Sequence, residues 1–244
     1  MYKYIIITIF SFFSIYSNGQ SYIWGIKGGV TIGTQKWAYF TSRNALFKFH
    51  GDVFIESWND DDKFSIGTQF GYHPRGSAIR YWNYSTGTGL FNSSSTKYIF
   101  DNLVVAPYAK QKITFNETVK GYYALGFRLE YTFNTNLQNG ADLYKNGYFF
   151  YAPIKDYVRK WNFGPILMGG LQFKYSELVG GSLEFSVCPD LSRQYYQPPV
   201  NNVITIDPFT GSHTTTNFPE QAIRNVSFEI SFGFRFLRKI EYID

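Results

Sequence analysis

The sequence predicts an all-β protein, an eight-stranded antiparallel up-and-down transmembrane β-barrel of the outer-membrane type. Apolar and polar residues alternate along eight segments, and the connections between these segments are long and short in turn. The polar faces carry opposite charges in near balance, whereas the apolar faces are rich in aromatic residues. A period of two indicates a strand with two unlike faces, and a membrane barrel turns the apolar face outward.

The last segment, 226–237, shows the alternation most clearly. Every even position up to 236 is apolar, whereas the odd positions up to 235 are small or charged, with Glu229 and Arg235 among them. The apolar face contains four phenylalanines: Phe228, Phe232, Phe234 and Phe236. A soluble sheet would bury this face in a core, and a membrane barrel would expose it to lipid.

Seven further segments precede it. The fourth is the weakest, because its register is ambiguous around Asp101 and Asn102 and because Pro107 suggests a bulge. The segments are 22–32, 45–58, 63–74, 98–113, 118–134, 159–175 and 180–188.

The connections predict the topology. Short connections of four residues, 59–62, 114–117 and 176–179, separate the long ones. Strict alternation of this kind places all the long connections at one end of a barrel, as in outer-membrane barrels with long outer loops and short periplasmic turns. The long connections are 33–44, 75–97, 135–158 and 189–222.

The charges favour a membrane barrel over a secreted lipocalin-like barrel, which also has eight strands but an apolar interior. Near-balance suits a closed lumen filled with ion pairs, because an unpaired buried charge is costly. The polar faces hold Lys27, Lys48, Arg128 and Arg235 against Asp52, Glu56, Glu130, Glu184 and Glu229. The aromatic content of 21% comes with a net charge of +5 and a mean hydropathy of only −0.22, which suits alternating strands.

Aromatic rings near the strand ends point to the same environment, since amphipathic rings favour the membrane interface. These residues are Trp24, Trp58, Tyr72, Tyr131, Trp161 and Tyr175.

The first nineteen residues predict a secretory signal peptide. Lys3 precedes an apolar run, and Ser17 and Gly19 are small residues before Gln20. We therefore expect a cleaved signal at 1–19 and a single barrel domain at 20–244. The single cysteine, Cys188, excludes an intrachain disulfide framework and is read as a small apolar filler.

Segments 24–30 and 226–237 resemble the PorT-like outer-membrane β-barrel proteins of Bacteroidota. The resemblance implies an outer-membrane location and insertion by the barrel-assembly machinery, which reads an aromatic C-terminal strand. Phe228, Phe232, Phe234 and Phe236 would form that signal, although the tail 238–244 departs from barrels that end on the aromatic residue. The expected partners are outer-membrane lipid and lipopolysaccharide, the assembly machinery and other envelope proteins, with no nucleic acid.

The chemistry of the sequence predicts a protein that is not an enzyme, with no catalytic residue, cofactor or metal. His50 alternates with Lys48 and Asp52 and is read as an interior histidine, His73 ends a strand, and His213 lies in the longest loop. No serine–histidine pairing of the kind used by barrel deacylases is evident.

The long loops are the expected place of any recognition. Aromatic loop residues suit binding of protein or glycan, and they could equally pack over the barrel mouth. The candidates are Tyr81, Trp82, Tyr84, Tyr195 and Tyr196. Three functions stay open: a structural or accessory component of an envelope complex, perhaps of a secretion system; a surface-binding barrel; and, less favoured, a lipid A-modifying enzyme.

Overall fold

The computed structural model describes residues 21–37, 43–58, 63–80, 95–140, 153–206 and 210–239. The predicted signal peptide, 1–19, lies outside these ranges, as do Tyr81, Trp82 and Tyr84. Within the described residues, no helix is long and apolar enough to cross a membrane.

Eight antiparallel strands of the described chain close into a ring. Neighbouring strands pair in chain order, and the last strand, β11, pairs back with the first, β1, over sixteen residues. The eight strands are β1 (Tyr22–Trp37), β2 (Asn44–Ser57), β3 (Phe64–Arg80), β4 (Ser95–Thr114), β5 (Val119–Thr135), β6 (Trp161–Lys174), β7 (Val179–Pro189) and β11 (Gln221–Arg238). The predicted fold is confirmed.

The strands are longer at the outer end, where the long connections lie, than the sequence pattern indicated. β3 continues through Pro74 to Arg80, and β11 begins at Gln221 rather than at 226. In β4 the register shifts between Asp101 and Asn102, whereas Pro107 pairs in register with Thr68. The register shift therefore lies where the register of the sequence was ambiguous, and the prediction of a bulge at Pro107 is wrong.

The two faces of the ring have opposite chemistry. The charged residues in the middle of the strands point inward, and large apolar side chains are exposed on the outside, among them Phe49, Phe70, Leu125, Phe185 and Phe232. We call this outer surface the apolar belt. Rings pack at both of its edges, Trp24 against Phe236 at the inner end and Tyr131 against Trp161 at the outer end.

Further short elements fold above the outer mouth. They are a 3₁₀ helix (Lys155–Tyr157), β8 (Tyr195–Gln197), β9 (Val200–Ile206) and β10 (His213–Phe218). β8 pairs with the start of β11, and β9 and β10 form a separate hairpin. The 3₁₀ helix and β8 join an apolar cluster, the outer cap: Tyr98, Phe100, Leu137, Tyr195 and Ile223.

Candidate functional site

The middle of the lumen is built around His73, which is almost completely buried. Its Nε2 lies 2.7 Å from Asp52 Oδ1, and its Nδ1 lies 3.0 Å from Glu229 Oε1. Because an ionised carboxylate only accepts hydrogen bonds, this arrangement makes the ring a donor at both nitrogens. The ring of His50 stacks on His73 with 5.0 Å between centroids. Two neighbouring strands, β2 and β3, and the closing strand, β11, are thereby tied together across the lumen.

Nearer the outer end, two guanidinium groups share one carboxylate. Arg75 Nε lies 2.9 Å from Glu130 Oε1, and Arg128 forms ion pairs with both Glu130 and Asp190. Asp190 in turn accepts a hydrogen bond of 2.9 Å from the side chain of Asn225. All of these side chains are buried. This layer offsets the cost of burying charge by pairing every ion with an opposite charge.

Nearer the periplasmic end, two lysines are held by carboxylates. Lys110 pairs with Glu56, which also accepts a 2.7 Å hydrogen bond from Tyr108. Lys27 pairs with Glu184 and donates a 2.6 Å hydrogen bond to Gln69. These contacts and the two layers above fill the lumen of the ring with side chains, as an eight-stranded barrel allows.

The structure brings most of the predicted lumen residues together, and it also shows which ones the sequence missed. Lys27, Asp52, Glu56, Arg128, Glu130, Glu184 and Glu229 form the ion pairs described above. Arg235 donates to Gln172 at 3.0 Å, whereas Lys48 is only half-buried near the outer end of β2 and enters no ion pair with the described residues. The missed members are His73, Arg75, Lys110 and Asp190.

One side of the lumen is apolar and includes the free cysteine. Cys188 is fully buried and packs in a cluster with Val104, Ile166 and Met168. The prediction that Cys188 is a small apolar filler agrees with this environment.

One group within the lumen has metal-ligand chemistry. Ligand atoms of His50, His73 and Glu229 all lie within 4.8 Å of one another, and all three residues are buried. Each ring nitrogen of both histidines already has a protein partner; for His50 these are Thr31 Oγ1 at 3.0 Å and Ser231 Oγ at 2.8 Å. The cluster is therefore satisfied by hydrogen bonds as it stands.

Ser231 lies within hydrogen-bond distance of His50, although the sequence shows no serine–histidine motif of the kind used by barrel deacylases. The two residues lie on β11 and β2, so no local motif could reveal the pair. Both side chains are buried.

At the periplasmic mouth, a cavity of about 210 Å³ lies between the strand ends and two of the turns. Lysine and glutamate side chains line it together, including Lys120, Lys174, Glu117 and Glu177. This mixture of charges favours no single class of ligand.

The two loop candidates within the described residues, Tyr195 and Tyr196, lie in different environments at the outer end. Tyr195 is fully buried in the outer cap, and this burial raises the pKa of its hydroxyl to about 12. It therefore packs over the barrel mouth and does not present a ring to solvent. Tyr196 faces the other way, with the guanidinium carbons of Arg193 and Arg159 at 4.8 Å and 5.3 Å from its ring centroid.

A family model described as "Outer membrane protein beta-barrel domain" matches residues 17–189. The chain belongs to this family. An outer-membrane location follows, and the apolar belt is the surface that contacts lipid. No curated protein matches this outer-membrane barrel.

The solved structures described next have a similar fold and are distant from this chain in sequence. Neisserial surface protein A is 11% identical with a TM-score of 0.46, and the match covers 88% of this chain and 96% of that one. Ail of Yersinia pestis, solved in complex with the heparin analogue sucrose octasulfate, is 11% identical with a TM-score of 0.39, and the match covers 89% and 99%.

The outer membrane protease OmpT of Escherichia coli is 8% identical with a TM-score of 0.37, and the match covers 91% of this chain and 98% of that one. The chemistry of the sequence predicts no enzymatic function for this barrel. That exclusion is wrong, because similar solved structures include a protease. At 8% identity the likeness shows the fold alone.

Proposed function

We propose that this outer-membrane barrel is a surface-exposed binding protein that holds a partner protein at its outer end, as an accessory component of an envelope complex. The observation that carries the proposal is the β9–β10 hairpin. Within the described part of the chain its two strands pair only with each other, so β9 is an edge strand. An exposed strand edge binds an extended segment of another protein by adding a strand.

The hairpin also offers apolar contacts. Ile204 and Val200 of β9 are 66% and 38% exposed. These side chains are not buried in this chain's own core and can contact a partner.

The filled lumen supports a binding function rather than transport of solutes through the barrel. The ion-pair layers that fill the ring leave no aqueous route of the kind that larger barrels have. The resemblance to PorT-like barrels of Bacteroidota adds the proposal that the complex serves secretion.

Purification of the native protein in mild detergent tests the proposal. We expect a stoichiometric partner protein with the wild type and with Thr214→Asp, and its loss with Ile204→Asp. Ile204 pairs opposite Thr215, so Thr214 points to the other face of the same hairpin and carries the same added charge. Absence of any partner from the wild type, or equal recovery with both variants, contradicts the proposal.

A further inference from the structure

Two cations face each other across the seam that closes the barrel. Lys36 on β1 is the direct cross-strand partner of Arg224 on β11, and both side chains are exposed. Side chains in this position have Cβ atoms about 4.5–5.5 Å apart, and like charges there destabilise the pair. The repulsion disappears if an anion binds between them.

Two more cations lie on the same outward face. Tyr196 pairs opposite Ala222, which is two residues from Arg224 along β11, so the ring and the Arg224 side chain share one side of the sheet. Arg193 and Arg159 both contact this ring. We call Lys36, Arg224, Arg193 and Arg159, with Tyr196 between them, the outer basic patch.

Carboxylates of the described chain do not compensate the patch. Glu220 directly precedes β11, four residues from Arg224, and Asp156 accepts a 3.1 Å hydrogen bond from the amide of Gly140. Neither forms an ion pair with any of the four cations. The contrast with the lumen, where carboxylates hold the buried cations, points to an anion from outside the chain.

The position of the patch along the membrane normal identifies the source of that anion. Lys36 lies twelve residues beyond Trp24 on β1, which at about 3.3 Å per residue and a strand tilt of about 40° is about 30 Å along the membrane normal. The hydrocarbon core is also about 30 Å thick. On the other side of the patch, Arg159 lies two residues beyond Trp161, whose exposed ring packs against Tyr131 at the outer edge of the belt. The four cations therefore lie in the headgroup layer of the outer leaflet.

We propose that the outer basic patch binds the phosphate groups of an outer-leaflet lipid. Lipid phosphates are fixed at this height and approach from the side, which is the direction the patch faces. Guanidinium groups bind phosphate in a bidentate manner, and lysine adds a point charge. The belt residues directly below, Trp161 and Leu191, are 60% and 58% exposed and contact the acyl chains of the same lipid. This site is independent of the β9–β10 hairpin.

Lipid titration of the purified barrel in non-ionic detergent tests the site, with native mass spectrometry measuring the bound fraction. The probes are lipid A with two phosphates and the same lipid without phosphates. We expect Lys36→Gln/Arg224→Gln to weaken lipid A binding roughly thirtyfold, since each cation near a membrane surface contributes about a fivefold gain in affinity. The wild type should bind the phosphate-free lipid at least as weakly as this variant binds lipid A, because the phosphates are the partners of all four cations.

Lys63→Gln/Lys97→Gln is the matched control, because it removes two exposed charges outside the patch and should bind lipid A like the wild type. Arg159 and Arg193 lie outside the eight barrel strands, so Arg159→Gln/Arg193→Gln tests the patch even if the seam variant does not fold. This second variant should also weaken lipid A binding. Equal lipid A binding by the wild type and both patch variants overturns the proposal. Displacement of lipid A by an equal concentration of inorganic phosphate also overturns it, because the site would then bind a free anion.

Discussion

Glu130 holds two guanidinium groups in the interior of the barrel. Arg75 and Arg128 are both fully buried, and each forms an ion pair with this carboxylate. Asn102 donates a further hydrogen bond of 3.2 Å to its other oxygen. Removing one member of a buried ionic group leaves the others uncompensated, and this costs more than the intact group contributes.

We therefore expect Glu130→Gln, which keeps the side-chain volume, to lower the free energy of unfolding by about 3–5 kcal/mol. Glu117→Gln, in an exposed turn, should change it by less than about 0.5 kcal/mol. Urea unfolding in phospholipid vesicles, followed by tryptophan fluorescence, measures both. Equal stability of the two variants would show that the lumen ions are not coupled as described.

The residues of this layer also show how far sequence reasoning reaches. Alternation assigned Glu130 and Arg128 to the lumen, because the pattern is unbroken along β5. It did not assign Arg75, which follows Pro74 and precedes Gly76, whose φ is +157°, nor Asp190, which follows the last residue of β7. The period of a strand gives the face of a side chain, whereas its partner depends on a register that one strand alone does not determine.

The seam between β1 and β11 is the element on which closure depends. Gly29 pairs with Ser231 there, and a Cβ at position 29 would lie 1.8 Å from the carbonyl oxygen of Ile230. The backbones of the first and last strands can approach only because this residue has no side chain.

Gly29→Ala should therefore reduce the fraction of folded barrel, with a cost on the order of 1–3 kcal/mol as for other overpacked sites. Its neighbour Gly28 is the control, because a Cβ at that position would meet the carbonyl oxygen of His50 only at 3.3 Å. Heat-modifiable migration in detergent gels reports the folded fraction. A Gly28→Ala variant that is impaired as strongly as Gly29→Ala would contradict the steric argument.

The elements at the outer end were the least predictable. The alternating pattern located all eight barrel strands, but the outer cap joins Tyr98 and Phe100 of β4 to Tyr195 and Ile223 from distant parts of the chain. Such contacts depend on how long loops fold against one another, and no periodic signal encodes them. For the same reason the sequence could not decide whether Tyr195 faces solvent.

The whole molecule separates its charges by location. Charges in the lumen are paired, whereas cations of the outer basic patch are exposed and the apolar belt between the two edges carries few charges. The belt anchors the barrel in the membrane and the ion pairs hold its lumen together. The two proposed contacts, lipid at the patch and protein at the hairpin, would then use separate parts of the outer end.

The belt predicts a depth dependence that a water-soluble barrel would not show. Phe232 is 66% exposed and pairs opposite Gly28 near mid-strand, whereas Phe236 packs on Trp24 at the inner edge. Lysine on the lipid face costs about 2–4 kcal/mol at the bilayer midplane and about 0–1 kcal/mol near the interface. Phe232→Lys should therefore lower the free energy of unfolding in phospholipid vesicles by several times as much as Phe236→Lys, measured by denaturant titration. Equal costs at the two positions would place the hydrocarbon elsewhere, because only a low-dielectric layer centred on the belt makes the penalty depend on height along one strand.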